Sequence, residues 1–446
     1  MKRTPATKSL AQNITQKKSL YSRALKVLDN EKTTAWLIFS TISFVFSAAV
    51  CALQIGASDR LIESDGIGYF AHLPSILVDG NMDYRNEMAQ LGLHLRNHWT
   101  VGTAISWLPF YLVGHLISQI GAFSGQPWPV DGMGFPEQLL CCLGTVIYGA
   151  AAVTLSYRIA RRWFGPYSSF FGTFVFFSAG NLPYYLLAEP YMSHGVSAFW
   201  SSLLLYVSVK KERLTRTEWI AVGALAGICA LTRPQDGLLL AVPFLWHALR
   251  GWPWKELLFA IVVTGVISAF MFSAQVVIWK HGIDLERGVH KVEERAQRIR
   301  IPVQTKSETA WLSPPLLKPL FNPLNGLLVW HPVFLLAWLG LALHFRERPR
   351  LSIVFLSATL IQVYIISAWG GQGQSFGGRM FLGTFAYFNL GIVALCCKYG
   401  ERYRKVVSAL SFLLILEAIY CSVRYRMLVR GGDYSAQIGK VLWPGG

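Results

Sequence analysis

Apolar runs of about 20 residues recur along the whole chain and alternate with short polar segments. A helix of that length crosses the hydrocarbon core of a bilayer, because each residue adds about 1.5 Å of rise. The pattern predicts an all-α fold, a polytopic transmembrane helical bundle. We expect about eleven spans, at residues 36–56, 137–157, 167–187, 192–209, 218–232, 236–250, 256–279, 327–344, 351–368, 379–397 and 406–423.

Clusters of lysine and arginine set the orientation of these spans. Cytoplasmic loops are enriched in basic residues, and clusters such as Arg158–Arg162 and Lys210–Arg213 follow every second span. All of these clusters fall on the cytoplasmic side only if the apolar segment 101–120 lies along the membrane or dips into it. A full crossing by this segment would move every later loop to the opposite side. Pro109 and Gly114 within it suit an interfacial or re-entrant helix.

The orientation divides the chain into three parts. Residues 1–35 are a basic cytoplasmic arm, residues 36–424 the transmembrane domain, and residues 425–446 a short outer tail. Two large loops, 57–135 and 280–326, face the outside, and we expect amphipathic juxtamembrane helices in the first.

Composition supports the membrane assignment. Hydrophobic residues make up 53% of the chain and charged residues only 15%, which excludes an ordinary soluble protein. The net charge of +17 lies mostly in the predicted cytoplasmic loops and suits an anionic lipid surface, so it does not indicate a nucleic-acid partner. The seven cysteines lie in or beside apolar spans without metal-ligand spacing or a disulfide framework, and we interpret them as packing residues.

An acid follows the first span in the stretch Glu63–Pro74. A helix starting at Ser64, a residue type favoured at the N-cap, places Asp65, Tyr69 and His72 on one stripe. The opposite side is apolar, so we expect it to sink into the edge of the bilayer; it consists of Ile67, Phe70, Leu73, Leu77 and Val78. An ionised carboxylate at the water–lipid boundary can accept a proton from a hydroxyl group. The structural alternative is that Asp65 only stabilises the helix start.

Further polar residues occur at the predicted outer ends of spans, where ionisable groups are costly and usually line a functional cavity. They are Glu189, His194, Arg233, Gln235, His331 and Arg379. Arginines in such positions suit a phosphate, which they bind through charge-assisted bonds. For His194 and His331, a purely structural hydrogen bond is an equal alternative. The sequence shows no metal-ligand cluster of convincing spacing.

Several motifs together resemble the GT-C superfamily of membrane glycosyltransferases. The first is Ser64-Asp65-Gly66-x-Gly68-Tyr69-Phe70, placed just after the first span. The others lie at 97–110, 158–165, 230–234 and 369–379. The motifs extend over residues 36–380, and their order is more specific than any one of them. The closest similarity is to bacterial Rgt-like proteins, and a more distant one is to aminoarabinose transferase and protein O-mannosyltransferases.

The resemblance implies a GT-C fold in a bacterial inner membrane, with inverting transfer of a sugar on the outer face. It implies a polyprenyl-phosphate-linked sugar as donor and a glycan, lipid or protein as acceptor. Asp65 matches the general base of the family, and Arg233, with Arg379, would bind the donor phosphate. Because a polyprenyl phosphate is already a good leaving group, we expect no cofactor to be required, and a divalent metal stays an open alternative. The expected substrate cavity contains Tyr69, His72, Glu87, Arg96, His98, Glu189, His194, Gln235 and His331.

The chain departs from the family pattern at two points. Gly66 stands where many relatives carry a second acid, and Glu87 is a candidate replacement. The usual lysine of the first loop is missing, and Arg96 or His98 is a candidate substitute. Two other functions therefore stay open. One is a transporter or flippase of lipid-linked sugars, although no paired half-repeats are evident. The other is an inactive scaffold subunit.

Overall fold

The computed structural model describes residues 27–54, 61–93, 97–126, 128–293, 311–369 and 375–430. These residues form helices, turns and loops, and none of them lies in a β-strand. The predicted all-α fold is therefore confirmed.

The α-helices pack into one bundle. They are α1 (Glu31–Gln54), α2 (Asp65–Leu77), α3 (Arg85–Gln90), α4 (Gly102–Phe123), α5 (Phe135–Ala160), α6 (Pro166–Ala179), α7 (Leu182–Leu187), α8 (His194–Val209), α9 (Arg216–Thr232), α10 (Ala241–Ala248), α11 (Trp254–Glu293), α12 (Lys318–Phe321), α13 (Leu327–Trp330), α14 (Val333–Leu343), α15 (Pro349–Trp369), α16 (Phe385–Tyr399) and α17 (Arg404–Arg430). Two 3₁₀-helices, Pro234–Leu240 and Arg379–Thr384, precede α10 and α16.

Six helical segments are long and apolar enough to cross a membrane. They are Glu31–Leu53, Phe135–Ala160, Trp254–His281, Pro349–Trp369, Arg379–Tyr399 and Arg404–Met427. The chain is accordingly an integral membrane protein, but the eleven expected spans are not all confirmed. Helix α4 is not among the six, and its placement along the membrane remains a prediction.

Three of the eleven predicted spans are interrupted or begin irregularly beside a proline, and a fourth, 379–397, begins as a 3₁₀-helix without one. The range 167–187 breaks between α6 and α7, 327–344 breaks between α13 and α14, and 236–250 begins as a 3₁₀-helix. A proline, which lacks the N–H that a continuing helix needs, stands at or beside each interruption: Pro183, Pro332 and Pro234. Each of these short helices has residues buried in the protein interior, where irregular backbone is tolerated in membrane proteins.

The predicted loop boundaries also change. Helix α11 continues to Glu293, well past the expected start of the second outer loop at residue 280. Helix α17 continues to Arg430, past the expected start of the tail. Residues 294–310, 431–446 and 1–26 lie outside the described residues.

Helix α5 is the central element, and it packs against α1, α4, α8 and α16. Small residues allow this close approach. A Cβ atom added at Gly144 would lie 2.7 Å from the Phe110 ring, and one added at Gly195 would lie 2.7 Å from the Thr145 carbonyl oxygen. Helices α14 and α16 cross even more tightly at Gly340 and Gly391. Small residues at helix crossings are typical of membrane bundles.

Helix α2 differs from its prediction. Residues Gly66–Ser75 are all buried, and the apolar side chains Ile67, Phe70 and Leu73 pack in the protein core. The prediction that this face sinks into the bilayer is therefore wrong for most of the helix, and only its last residues, such as Leu77 and Val78, are exposed. The helix is held on both sides by protein because α4 and the loop around Trp99 cover it.

Candidate active site

Asp65 is the first residue of α2, as the sequence predicted within one position. Ser64 precedes it with a φ of 53° and makes no side-chain capping bond, so the expected serine cap is wrong. A positive φ is costly for a residue with a Cβ atom and persists only where surrounding structure enforces it. The turn at Ser64 therefore places the Asp65 carboxylate at a fixed point in the first turn of the helix.

Arg379 forms an ion pair with Asp65. The distance from Arg379 Nη1 to Asp65 Oδ2 is 3.0 Å, and the side chains are 12% and 31% exposed, respectively. Arg379 Nε is buried and has no hydrogen-bond partner among the described residues. The pair thus combines a partly accessible carboxylate with a buried cation that retains an unused donor.

A glycine turn presents Arg379 to the site. Gly377 and Gly378 have φ values of 29° and 63°, a region that favours glycine. Asn181 Nδ2 donates to the Gly377 carbonyl oxygen at 2.8 Å, and the Gly378 N–H donates to the Asn325 carbonyl oxygen at 2.8 Å. His331 packs beneath this turn, since a Cβ atom at Gly377 would lie 2.6 Å from its Nε2. His331 therefore supports the turn and does not line a cavity with Asp65.

Arg233, at the end of α9, forms a second cationic centre. Hydrogen bonds and contacts with protein groups occupy the donors of its guanidinium group. Its Nη1 donates to Ser193 Oγ at 3.2 Å and to His194 Nδ1 at 2.8 Å. Its Nη2 contacts the Met380 sulfur. With the Gln235 amide oriented so that its oxygen accepts, Arg233 Nε lies 2.7 Å from that oxygen. Since a guanidinium only donates, His194 accepts at Nδ1. The side chain is only 8% exposed.

Tyr69 connects the two cationic centres. It lies one helical turn after Asp65, and its hydroxyl accepts a hydrogen bond from Ser193 Oγ at 3.2 Å. It interacts electrostatically with Arg233, Asp65 and Arg379. Burial raises the pKa of Tyr69, so its hydroxyl stays protonated at neutral pH. The predicted stripe of Asp65 and Tyr69 thus faces the site.

Glu189 supplies a second carboxyl group. Its Oε1 accepts a hydrogen bond from the Tyr184 hydroxyl at 2.9 Å, and it interacts electrostatically with Arg379, Arg426 and Asp65. Burial raises the pKa of Glu189, opposed by the bond from Tyr184 and by the two arginines. The acid that shares Arg379 with Asp65 is therefore Glu189, and not Glu87 as the sequence suggested.

The remaining predicted site residues lie elsewhere. His72 packs edge-on against Tyr84, with its Nε2 3.2 Å from the Trp99 carbonyl oxygen, and burial lowers its pKa to about 4. Glu87 interacts with Tyr84, and His98 stacks on Trp99. These contacts all lie within residues 72–99. Arg96 lies outside the described residues.

Sequence reasoning missed Arg426, near the end of α17. It interacts electrostatically with Glu189, Tyr184 and Tyr191. The signal was present, because the charge pattern predicts that this end of the span lies outside, where cations are disfavoured, as for Arg233. The last span was predicted to end at residue 423, and this boundary placed Arg426 in a tail.

Metal ligands are not gathered at the site. Among the described residues, no group of three or more histidine, cysteine, aspartate or glutamate side chains has a geometry that could hold a metal ion. The site instead combines two carboxyl groups with three arginines, a set suited to an anionic ligand.

Comparison with known proteins gives structural matches only. No family model matches the sequence, and no curated protein matches it. Two matching solved structures are those of ArnT from Cupriavidus metallidurans, in the apo state and bound to undecaprenyl phosphate. Each is 16% identical, with a TM-score of 0.47, and the match covers 92% of this chain and 74% of ArnT.

At this identity and TM-score, the roles of individual residues rest on the contacts described above.

Proposed function

We propose that the chain is a membrane glycosyltransferase that transfers a sugar from a polyprenyl-phosphate donor to an acceptor hydroxyl. The observation that carries the proposal is the Asp65–Arg379 pair, in which a partly exposed carboxylate lies against a largely buried arginine whose buried Nε–H is unused. A base beside a phosphate-binding cation is what this reaction needs. The acceptor is a glycan, lipid or protein of the cell envelope.

In the chemical step, one proton is transferred, one bond to the anomeric carbon forms and one bond to that carbon breaks. Asp65 accepts the proton of the acceptor hydroxyl, whose oxygen attacks the anomeric carbon of the sugar. The bond from that carbon to the phosphate oxygen breaks, and the polyprenyl phosphate leaves with the electron pair. Attack from the face opposite the phosphate inverts the anomeric configuration. The proposal places this step on the outer face of a bacterial inner membrane.

Arg379 has two tasks in this scheme. It fixes the position of the Asp65 carboxylate through the ion pair, and its unused Nε–H is available to the leaving phosphate. Developing charge on a leaving group is stabilised most by donors that are already in place. Arg233 acts mainly as a scaffold, because its donors are engaged by Ser193, His194 and Gln235. This changes the prediction that Arg233 clamps the phosphate directly.

The test uses purified full-length protein in proteoliposomes with polyprenyl-phosphate sugars and a cell-envelope extract as acceptor. Mass spectrometry follows the release of polyprenyl phosphate and the glycosylated product. We expect Asp65→Asn to lower transfer by 100-fold or more, on the order of the contribution of a general base. Asp131→Asn is the matched control, because Asp131 is an exposed acid of the same loop and its bond from the Met133 N–H survives the change.

A folded Asp65→Asn protein with full transfer activity would contradict the proposal. Movement of the intact lipid-linked sugar across the bilayer without release of polyprenyl phosphate would indicate a flippase instead. Absence of both activities in the native protein, with all candidate donors, would favour a scaffold.

A further inference from the structure

An apolar groove runs along the outside of the bundle next to the candidate active site. It lies between α1, α7 and α17, and its walls include Phe46, Leu53, Leu187, Ile419 and Val423. Its cavity volume is about 420 Å³. Several wall residues are exposed on the outer surface of the bundle, where lipid is the surrounding medium, so the groove is open to the bilayer.

A single charged residue, Arg426, stands among the residues that line the groove. It is half-buried, and it interacts with Glu189, Tyr184 and Tyr191. Arg426 follows Ala418, another wall residue, by two helical turns, or about 12 Å along α17. The groove therefore has an apolar length and a cationic end.

The cationic end adjoins the catalytic groups. Glu189 interacts electrostatically with both Arg426 and Arg379, and also with Asp65. Arg233 instead interacts with Tyr69, His194 and Asp236. The Asp65–Arg379 pair thus interacts with Arg233 through Tyr69 and with Arg426 through Glu189, and of these three arginines only Arg426 lines the apolar groove.

The three arginines differ in what they can still bind. Arg233 is buried and its donors are engaged by protein groups. Arg379 is paired with Asp65 and retains one unused donor. Arg426 is half-buried at the mouth of an apolar groove open to lipid. A ligand with a long apolar chain and an anionic end matches this last arrangement in both shape and charge.

We propose that this groove holds the first isoprenoid units of the polyprenyl-phosphate donor and that Arg426 binds its phosphate, opposite Arg379. The inference rests on the proposed function and assigns the donor site to residues that the sequence did not indicate. Arg426 delivers the phosphate from the lipid side, and Arg379 receives it beside Asp65. Arg426 is a binding residue in this scheme and takes no part in proton transfer.

The first test measures binding of undecaprenyl phosphate to the full-length protein in nanodiscs by native mass spectrometry. We expect Arg426→Gln to weaken binding by about tenfold or more, the usual worth of a charge-assisted hydrogen bond. Binding of the neutral undecaprenol should change little. Arg404→Gln is the matched control, because Arg404 is an exposed arginine at the other end of the same helix.

The second test fills the groove. Ser422→Trp places a large side chain on a wall residue, and we expect it to weaken binding of both undecaprenyl phosphate and undecaprenol. Leu416→Trp is the control, since Leu416 is exposed on α17 and does not line the groove. Thermal unfolding of each variant shows that it remains folded.

Unchanged affinity for undecaprenyl phosphate in both Arg426→Gln and Ser422→Trp would overturn the inference. So would equal competition by phosphatidylglycerol, which would make the groove a site for bulk phospholipid. Because no catalysis is measured, this outcome is distinct from failure of the proposed function. If binding depends on Arg426 but no sugar is transferred, the proposed lipid site is supported and the proposed transferase activity is rejected.

Discussion

The buried carboxyl group of Glu87 links the stability of the first outer loop to pH. Burial raises the pKa of Glu87 to about 7, from an ordinary value of 4.5. Folding therefore takes up a proton between these values, and stability falls as pH rises from about 4.5 to about 7 and is level above that.

The measurement is the thermal midpoint of the native protein and of Glu87→Gln in nanodiscs between pH 5 and pH 8. The native midpoint should fall relative to that of the variant as pH rises, because glutamine has no proton to lose. Parallel pH profiles for the two proteins would show that Glu87 does not titrate in this range.

Single residues also show how far the sequence predicts the site. Asp65 was identifiable because ionisable groups at the ends of membrane spans are costly and often functional, although an acid at a helix start also has a structural role. Arg233 and Arg379 were identifiable by the same reasoning, but their partners were not. Which carboxyl group lies near which arginine depends on side chains from distant helices. The structure was therefore needed to show that Glu189, and not Glu87, is the second acid that interacts with Arg379.

At the scale of elements, the crossing of α14 and α16 depends on two glycines. A Cβ atom at Gly391 would lie 1.9 Å from the Ala337 carbonyl oxygen. We expect Gly391→Ala to push the two backbones apart and to destabilise the protein by roughly 1–3 kcal/mol. The change would appear as a lower thermal midpoint in nanodiscs.

Gly265→Ala on α11 provides the control for that substitution. An added Cβ atom at Gly265 meets no other atom within 4 Å. Alanine in such a helical position should leave stability unchanged or raise it by up to about 1 kcal/mol. Equal midpoints for the two variants would mean that the α14–α16 crossing tolerates a methyl group.

At the scale of the whole molecule, the charge pattern predicts that the basic loops and the candidate site lie on opposite faces of the membrane. Lys210 and Lys211 pair with Glu218, and Arg250 pairs with Glu212, in loops distant in sequence from Asp65. We expect a cysteine at Glu212, introduced with Cys397→Ser, to be shielded from an impermeant maleimide in intact cells. A cysteine at Asp131 should react. Reversed labelling would invert the predicted topology.

The hydrophobic pattern predicted where helices lie, because a helix in the lipid bilayer and a helix in the protein interior both need apolar side chains. It could not separate these two environments. Gly66–Ser75 of α2 has an apolar face suited to the bilayer, yet its side chains are covered by protein. It also could not place the interruptions at Pro183, Pro234 and Pro332, since prolines occur within membrane helices as well as between them.

The pairing of Asp65 with Arg379 ties the site to the order of synthesis. Asp65 follows the first span, whereas Arg379 begins the next-to-last one, so almost the entire bundle is made between them. A contact of such long sequence separation forms late, after the helices that lie between have packed. Until then, the growing chain carries Asp65 without its partner. Completion of the ion pair therefore coincides with completion of the bundle, and a truncated chain that inserts normally would still lack the assembled site.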